Sequence, residues 1–249
     1  MMHRIANWLV WRQNAISWRS VHSPWLFSML QTMRSPFLRE ATIEEARKEL
    51  HADRNAIDSL DLGAGSQWPS GTVADIARSA LKRPRHAQAI AGLCKHLGTN
   101  QALELGTCLG LTTAYISKNA SAVTTIEGNP ALEKRARLVW KQLNITNITS
   151  LTGNFDDVIP TLNSKQYDVI FIDGNHRGAA LKRYIDLLFP QLSEYGVIIC
   201  DDIHWSADME QAWEELISEQ RWTLKVDFYE WGLLTANPRL APEFHCIRF

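Results

Sequence analysis

The stretch Ala102–Gly110, which reads ALELGTCLG, places an acidic residue two positions before a glycine, at the end of an apolar run. A similar stretch, LDLGAGS, occurs at residues 60–66. An apolar strand followed by a glycine turn and a helix is typical of nucleotide-type cofactor sites in α/β proteins, because the free N–H groups of the helix face the ligand. At most one of the two stretches is expected to form such a site.

The distance to the next acidic residue favours the stretch at 102–110. A ribose-binding acid is expected about 20 residues beyond the glycine turn, at the end of the following strand. Glu127 meets this expectation for Gly106, whereas the first strand-end acid after Gly63 is Glu104, much farther along the chain. The stretch at 60–66 then has two interpretations. It is either a turn that leads into an accessory helix or part of the lining of a substrate cavity.

The pattern from residue 97 onward indicates an α/β fold. Apolar runs alternate with helix-length segments, which predicts a doubly wound, mostly parallel sheet with right-handed crossovers. The predicted strands are Ala102–Leu105, Ala122–Ile126, Ile148–Leu151, Tyr167–Ile172, Val197–Cys200, Thr223–Tyr229 and a last one at Gly232–Ala236 or Phe244–Phe249. The predicted helices between them include Leu111–Asn119, Ala131–Leu143 and Ala179–Leu192. The short turn before the last strand favours a terminal antiparallel pair.

Residues 1–96 are predicted to form a helical extension that precedes a domain at 97–249. Helices are predicted from the spacing of Trp8, Trp11, Ala15 and Trp18, from Trp25 onward, and over Ile43–Leu50. We expect the tryptophan face to pack against the main domain or a second subunit. The arginines of this region leave contact with a membrane surface as an alternative.

The composition limits the partners of the protein. The chain has 249 residues, a net charge of −1 and 45% hydrophobic residues, as in ordinary globular proteins. It has no basic stripe with interleaved aromatic residues, which argues against nucleic acid. The cysteines are scattered without metal-ligand spacing, which indicates a reducing compartment. Because no apolar run approaches the roughly 20 residues of a membrane span, we expect a cytoplasmic protein without stable membrane insertion.

The spacing of the two glycines limits the classes of cofactor that the loop is expected to bind. Gly106 and Gly110 do not form the GxGxxG of dinucleotide-binding folds, which disfavours a nicotinamide oxidoreductase. The stretch ALELGTCLGLTT instead resembles the first motif of the class I S-adenosylmethionine-dependent methyltransferases, and especially the catechol and caffeoyl-CoA O-methyltransferase branch with its bacterial relatives. The resemblance implies a seven-stranded Rossmann-like sheet with a reversed final strand, and S-adenosyl-L-methionine as cofactor. The residues that it assigns to the cofactor are Glu104, Gly106, Thr107, Gly110, Glu127 at the ribose, Phe155 and Asp156 beside the adenine, and Asp173.

Two later stretches, DVIFIDGNH at 168–176 and GVIICDDIHW at 196–205, strengthen the resemblance. Each is a β-rich apolar run that ends in carboxylates, so Asp173, Asp201 and Asp202 are predicted to converge at the carboxyl edge of the sheet. Carboxylates this close repel one another unless a positive charge lies between them, and a divalent cation such as Mg²⁺ is expected there. In the metal-dependent branch these positions bind the metal, although Asp202 stands where Asn is usual. The alternative is that one of the acids caps a loop or contacts the cofactor.

His176 occupies the position of the general-base lysine of that branch, three residues after Asp173. Histidine accepts a proton near neutral pH, so His176 and Asp173 are the predicted catalytic residues. Two other roles for His176 stay open, as a metal ligand or as a hydrogen-bonded loop residue. His204, beside the acid pair, is a second candidate base.

The predicted function is methylation of a small-molecule hydroxyl with S-adenosylmethionine, assisted by a divalent metal. A non-catalytic protein that binds S-adenosylmethionine and has a regulatory or structural role is the alternative from another class. The region before the sheet carries no motif that identifies the acceptor. Because many relatives form dimers through their N-terminal helices, the resemblance favours a homodimer.

Overall fold

The computed structural model describes residues 2–57, 71–162 and 166–249, so the stretch at 60–66 lies outside the described residues. The helices are α1 Met2–Asn14, α2 Pro24–Met33, α3 Ala41–Ala52, α4 Val73–Ala80, α5 Pro84–Leu97, α6 Leu111–Ser117, α7 Pro130–Gln142, α8 Phe155–Val158, α9 Gly178–Leu188 and α10 Ala207–Ser218. The strands are β1 Ile16–Ser17, β2 Ala56–Ile57, β3 Gly71–Thr72, β4 Gln101–Leu105, β5 Ala122–Glu127, β6 Ile148–Thr152, β7 Tyr167–Ile172, β8 Leu192–Asp201, β9 Leu224–Asp227, β10 Trp231–Thr235 and β11 Glu243–Arg248. Over these ranges, none of the helices combines the length and apolarity needed to cross a bilayer.

The main sheet confirms the predicted doubly wound architecture. Among the described strands its order is β6-β5-β4-β7-β8-β10-β9-β11-β1. The first seven of these form the predicted sheet, and β10 runs antiparallel to both β8 and β9. A short turn causes this reversal, in which the Phe228 N–H donates to the Trp231 carbonyl at 3.0 Å. Both candidate segments for the last strand form strands, as β10 and β11. Strand β11 pairs in parallel with β9, and β1 pairs with β11.

Alternating side chains divide the buried residues of the sheet between two layers of helices. Ala102 of β4 faces a core formed with α2 and α5. Leu103, the next residue, faces a core formed with α9 and α10. A third apolar cluster joins α3 and α4 to α6 and α7, beside the loop that follows β4. The N-terminal helices α2 and α5 therefore cover one face of the sheet directly, and they bring the segment between α4 and α5 to its carboxyl edge.

The N-terminal helix is shorter than the tryptophan spacing predicts. Helix α1 ends at Asn14, so the prediction that Ala15 and Trp18 continue its face is wrong. The reason is tertiary, because the chain immediately enters β1 and pairs with β11 at the edge of the sheet. The Trp11 ring packs against Tyr229 with 5.4 Å between ring centroids, and Trp18 stacks on Phe27. At least part of the tryptophan set thus packs against the main domain, as expected.

Candidate active site

The loop between β4 and α6 is held in a conformation that requires glycine. Gly106 has a φ of 100°, and a Cβ there would lie 1.9 Å from the carbonyl oxygen of Asp173. Only a residue without a side chain allows this approach of the β4 and β7 loops. Gly110, with a φ of 77°, is the N-cap of α6, and its carbonyl accepts a hydrogen bond from Trp140 Nε1 at 2.8 Å. The loop is therefore fixed at both glycines.

Glu127 is buried at the end of β5 and faces this loop. Its Oε2 accepts the N–H of Cys108 at 2.8 Å, and its Oε1 accepts the N–H of Asn129 at 2.9 Å. Burial raises the pKa of Glu127, and the backbone N–H groups partly offset that effect. The structure thus brings together the glycine loop and the strand-end acid that the spacing singles out.

Glu104 lies deeper, beneath the loop. Its Oε2 accepts hydrogen bonds from the hydroxyls of Thr113 and Thr125, the latter at 2.7 Å. Its Oε1 is buried and has no hydrogen-bond partner in the described part of the chain. Burial raises the pKa of Glu104 to about 8, although the two hydroxyls lower it. The Thr107 hydroxyl also bonds to Thr125, at 2.6 Å, so the Thr107 side chain points inward and only its backbone faces the site.

The pair Phe155 and Asp156 opens α8, after β6. The Phe155 ring meets Tyr184 edge-on at 5.6 Å, and a Cβ on Gly174 would lie 2.8 Å from its Cε2 atom. Asp156 accepts two hydrogen bonds from the Arg183 guanidinium, at 2.7 and 2.9 Å, which hold the pKa of its carboxyl below the usual value. Phe155 therefore packs on the β7 loop, whereas the Asp156 carboxylate is engaged with Arg183.

Asp173 and Asp201 converge at the carboxyl edge of the sheet, as predicted, and a lysine lies between them. Lys82 Nζ is 3.1 Å from Asp173 Oδ1 and also contacts Asp201 Oδ2. Burial opposes a charge on Lys82, but the carboxylates of Asp173, Asp201 and Asp202 outweigh burial and raise the lysine pKa. Burial likewise raises the pKa of Asp201 to about 6, against the opposing effect of Lys82. The site therefore holds a permanently charged ammonium.

These residues do not fit the predicted Mg²⁺ site formed by Asp173, Asp201 and Asp202. The Lys82 ammonium holds the position between the first two carboxylates. Asp202, with a φ of 54°, has its Oδ2 3.7 Å from His176 Nε2. Over the ranges that the structure describes, no group of three or more His, Cys, Asp or Glu side chains is arranged to hold a metal ion. The expectation of a positive charge between the aspartates is confirmed, but Lys82 supplies that charge.

The segment that carries Lys82 is anchored on both sides of the cluster. The Lys82 carbonyl accepts a hydrogen bond at 2.9 Å from the Arg47 guanidinium of α3. On the other side, His86 Nε2 lies 2.9 Å from a Glu230 carboxylate oxygen. The carbonyl of Glu230 in turn accepts the N–H of Asp202 at 2.8 Å. Lys82 is therefore held by the same framework that positions the acidic loop.

Spacing patterns could not identify Lys82 as a site residue. It lies 119 positions before Asp201, and no local motif joins the two. The available signal was the uncompensated charge of three neighbouring acids, which a lysine satisfies as well as a metal. The basic pair Lys82-Arg83, directly before the proline that begins α5, was a candidate for that role.

His204 belongs to a different cluster. Its Nε2 lies 2.9 Å from Asp227 Oδ2, and its Nδ1 lies 3.3 Å from Glu210 Oε1. The ring also stacks on Tyr229 at 5.1 Å. Burial alone would lower the pKa of His204, but the bond to Asp227 and the charge of Glu210 raise it. Both ring nitrogens are thus engaged with carboxylates, which leaves His176 as the better placed of the two candidate bases.

Comparison with known proteins agrees with this geometry. Residues 103–203 match a family described as a methyltransferase domain. This part of the chain is therefore similar to a methyltransferase domain. The matched range begins in β4 and contains the glycine loop, Glu127 and the three aspartates.

Solved structures share the fold of this chain. An S-adenosylhomocysteine-bound methyltransferase from Podospora anserina superposes with a TM-score of 0.62 at 15% identity, over 79% of this chain and 88% of that one. An O-methyltransferase from Bacillus cereus in complex with the same compound gives 0.59 at 18% identity, over 79% and 91%.

A curated relative, a protein-L-isoaspartate O-methyltransferase from Roseobacter denitrificans, is 27% identical over 130 residues, or 52% of this chain. The chain spans about half the length of the curated relatives that it matches.

Proposed function

We propose that the protein is an S-adenosylmethionine-dependent methyltransferase that acts on an oxygen of a small-molecule acceptor. The observation that carries the proposal is the hydrogen bond from the Cys108 N–H to Glu127 at 2.8 Å. This bond connects the loop after β4, whose backbone faces the site, with the carboxylate at the end of β5. A nucleoside cofactor needs this arrangement in an open α/β sheet. The methyltransferase match covers both parts.

The residues present fit the cofactor. Glu104 has a buried oxygen that no described residue hydrogen-bonds, which suits the amino group of the methionine portion. A carboxylate offers about four acceptor positions, so Glu127 can bind ribose hydroxyls in addition to its backbone donors. Gly106 and Gly110 would leave room beside the methionine portion, and Phe155 would lie near the adenine. When bound, the cofactor supplies a methyl group that is activated by the sulfonium.

The side chains of the protein would supply proton transfer and positioning. His176 is about 28% exposed, so its ring can accept a proton from an acceptor hydroxyl. The Asp202 carboxylate, whose Oδ2 lies 3.7 Å from His176 Nε2, can help to hold the ring in position. Asp173 is fixed by its backbone, whose N–H donates to the Leu105 carbonyl at 2.8 Å. Because the methyl donor is already reactive, most of the rate gain would come from the positions of the reactants.

Two facts support oxygen as the atom that is methylated. A histidine base is suited to a hydroxyl, which must lose its proton during the reaction. The curated relatives and the Bacillus cereus structure are also named as O-methyltransferases.

The test is calorimetric titration of the protein with S-adenosylhomocysteine. Glu127→Gln is expected to weaken binding by about 10- to 100-fold, because hydrogen bonds to a charged group are lost. Glu133→Gln is the matched control. Glu133 is also a buried acid, but its Oε1 accepts a bond from Ser150 at 2.7 Å and it pairs with Arg137.

The absence of any binding heat in the wild type, or equal affinities for the two variants, would refute the cofactor assignment. Release of S-adenosylhomocysteine in the presence of hydroxylated acceptors tests turnover. Binding without turnover on any acceptor would favour the non-catalytic alternative.

A further inference from the structure

We propose that the Lys82 ammonium takes the place of a divalent cation at the acceptor site, so that the site excludes Mg²⁺ and works without it. The side chain reaches the carboxyl edge of the sheet from the segment between α4 and α5. There it bridges Asp173 and Asp201, the ends of β7 and β8. Strand-end carboxylates that would otherwise attract a metal are thus neutralised by a group of the chain itself.

Charge and burial explain why this arrangement persists. The Asp201 side chain is only 7% exposed and that of Asp173 15% exposed, so their charges are poorly screened by water. A cation between them is strongly favoured, because electrostatic interactions strengthen as solvent is removed. The carboxylates accordingly raise the pKa of Lys82 and keep it charged over the physiological range. A hydrated metal ion would have to displace this ammonium and leave it buried without a partner.

The backbone of the segment prevents the lysine from moving aside easily. The Arg47 guanidinium holds the Lys82 carbonyl, and Pro84 begins α5 two residues later. His86 holds the following turn through Glu230. The ammonium is therefore presented at a fixed place, and its binding costs less entropy than the capture of a free ion does.

The same geometry gives Lys82 a role toward the acceptor, and this part rests on the proposed function. An ammonium has three N–H donors. Among the described residues, Asp173 and Asp201 account for two of them, and the third would donate to an acceptor oxygen beside His176. Lys82 would thus position the hydroxyl whose proton His176 accepts.

The experiment is a Mn²⁺ titration followed by electron paramagnetic resonance, with Mn²⁺ as the probe for Mg²⁺-type sites. The variant Lys82→Ala is expected to bind Mn²⁺ at least about tenfold more tightly than the wild type, because the freed carboxylates attract a cation. The double variant Lys82→Ala with Asp201→Asn is expected to lose this gain in Mn²⁺ affinity. Lys182→Ala, which removes a surface lysine paired with Glu215, is the matched control and should bind as the wild type does.

Two results would overturn the proposal. One is a wild-type protein that binds one Mn²⁺ as tightly as Lys82→Ala and loses it in Asp201→Asn. The other is a folded Lys82→Ala variant, checked by circular dichroism, that gains no Mn²⁺ site. If Lys82→Ala does not fold, Lys82→Gln is tested instead, because glutamine has a side chain of similar length. The same two results would then overturn the proposal. Calorimetry with S-adenosylhomocysteine on the same samples tests the proposed function separately.

Discussion

Replacing Gly106 by alanine tests whether the close approach of the β4 and β7 loops is required. The new Cβ would lie 1.9 Å from the Asp173 carbonyl oxygen, on a residue with a φ of 100°. Conformational strain at such a φ costs about 1–2 kcal/mol. Relief of the clash must also break a backbone bond, either Gly106 N–H to Ile126 or Asp173 N–H to Leu105, at about 0.5–1.5 kcal/mol each. We therefore expect the free energy of unfolding to fall by about 1.5–3.5 kcal/mol.

Gly98→Ala is the matched control, measured in parallel by urea unfolding. Gly98 also has a positive φ, of 60°, but a Cβ there would meet no atom within 4 Å. Its substitution should cost about 1 kcal/mol from strain alone. Calorimetry should also show weaker binding of S-adenosylhomocysteine to Gly106→Ala than to Gly98→Ala, because the displaced loop carries Cys108. If the two variants lose the same stability and bind equally, the close approach does not constrain the site.

Two further predictions concern pH. Because the pKa of Glu104 is raised to about 8, a ligand amino group that binds its charged form should bind about fiftyfold more tightly at pH 8 than at pH 6. Calorimetry with S-adenosylhomocysteine should show this pH dependence of the affinity in the wild type and none in Glu104→Gln. An equal pH dependence in both proteins would exclude the contact between Glu104 and the amino group. The pKa of His204 is higher in the folded state than in the unfolded state, so the protonated ring stabilises the fold. This stabilisation is complete below the unfolded pKa of about 6.5 and is lost as the pH rises through the folded pKa. Urea unfolding should therefore show that His204→Gln costs roughly 1–3 kcal/mol at pH 6 and less at pH 9, and a difference that grows with pH would contradict this account.

The strands of the central sheet could be predicted from the sequence because their signal is local. Apart from Asp168, the run at 167–172 is apolar, as expected of a parallel strand that is covered on both faces, and it forms β7 as predicted. The number of residues between Gly106 and Glu127 also corresponds to one strand–helix–strand unit. It therefore predicted correctly that the glycine loop lies beside Glu127. The extent of α1 was not predictable in this way, because pairing with β11, at the far end of the chain, decides where the helix stops.

The sequence by itself determined the α/β class, the reversed strand and the carboxyl edge at which the acidic residues meet, since periodicity and strand order depend on neighbours along the chain. Only the tertiary structure decided which cation neutralises Asp173 and Asp201. Helix packing brings Lys82 to those aspartates from far along the chain, and the strength of the pairing depends on burial. Neither distance in space nor loss of solvent can be read from the spacing of residue types.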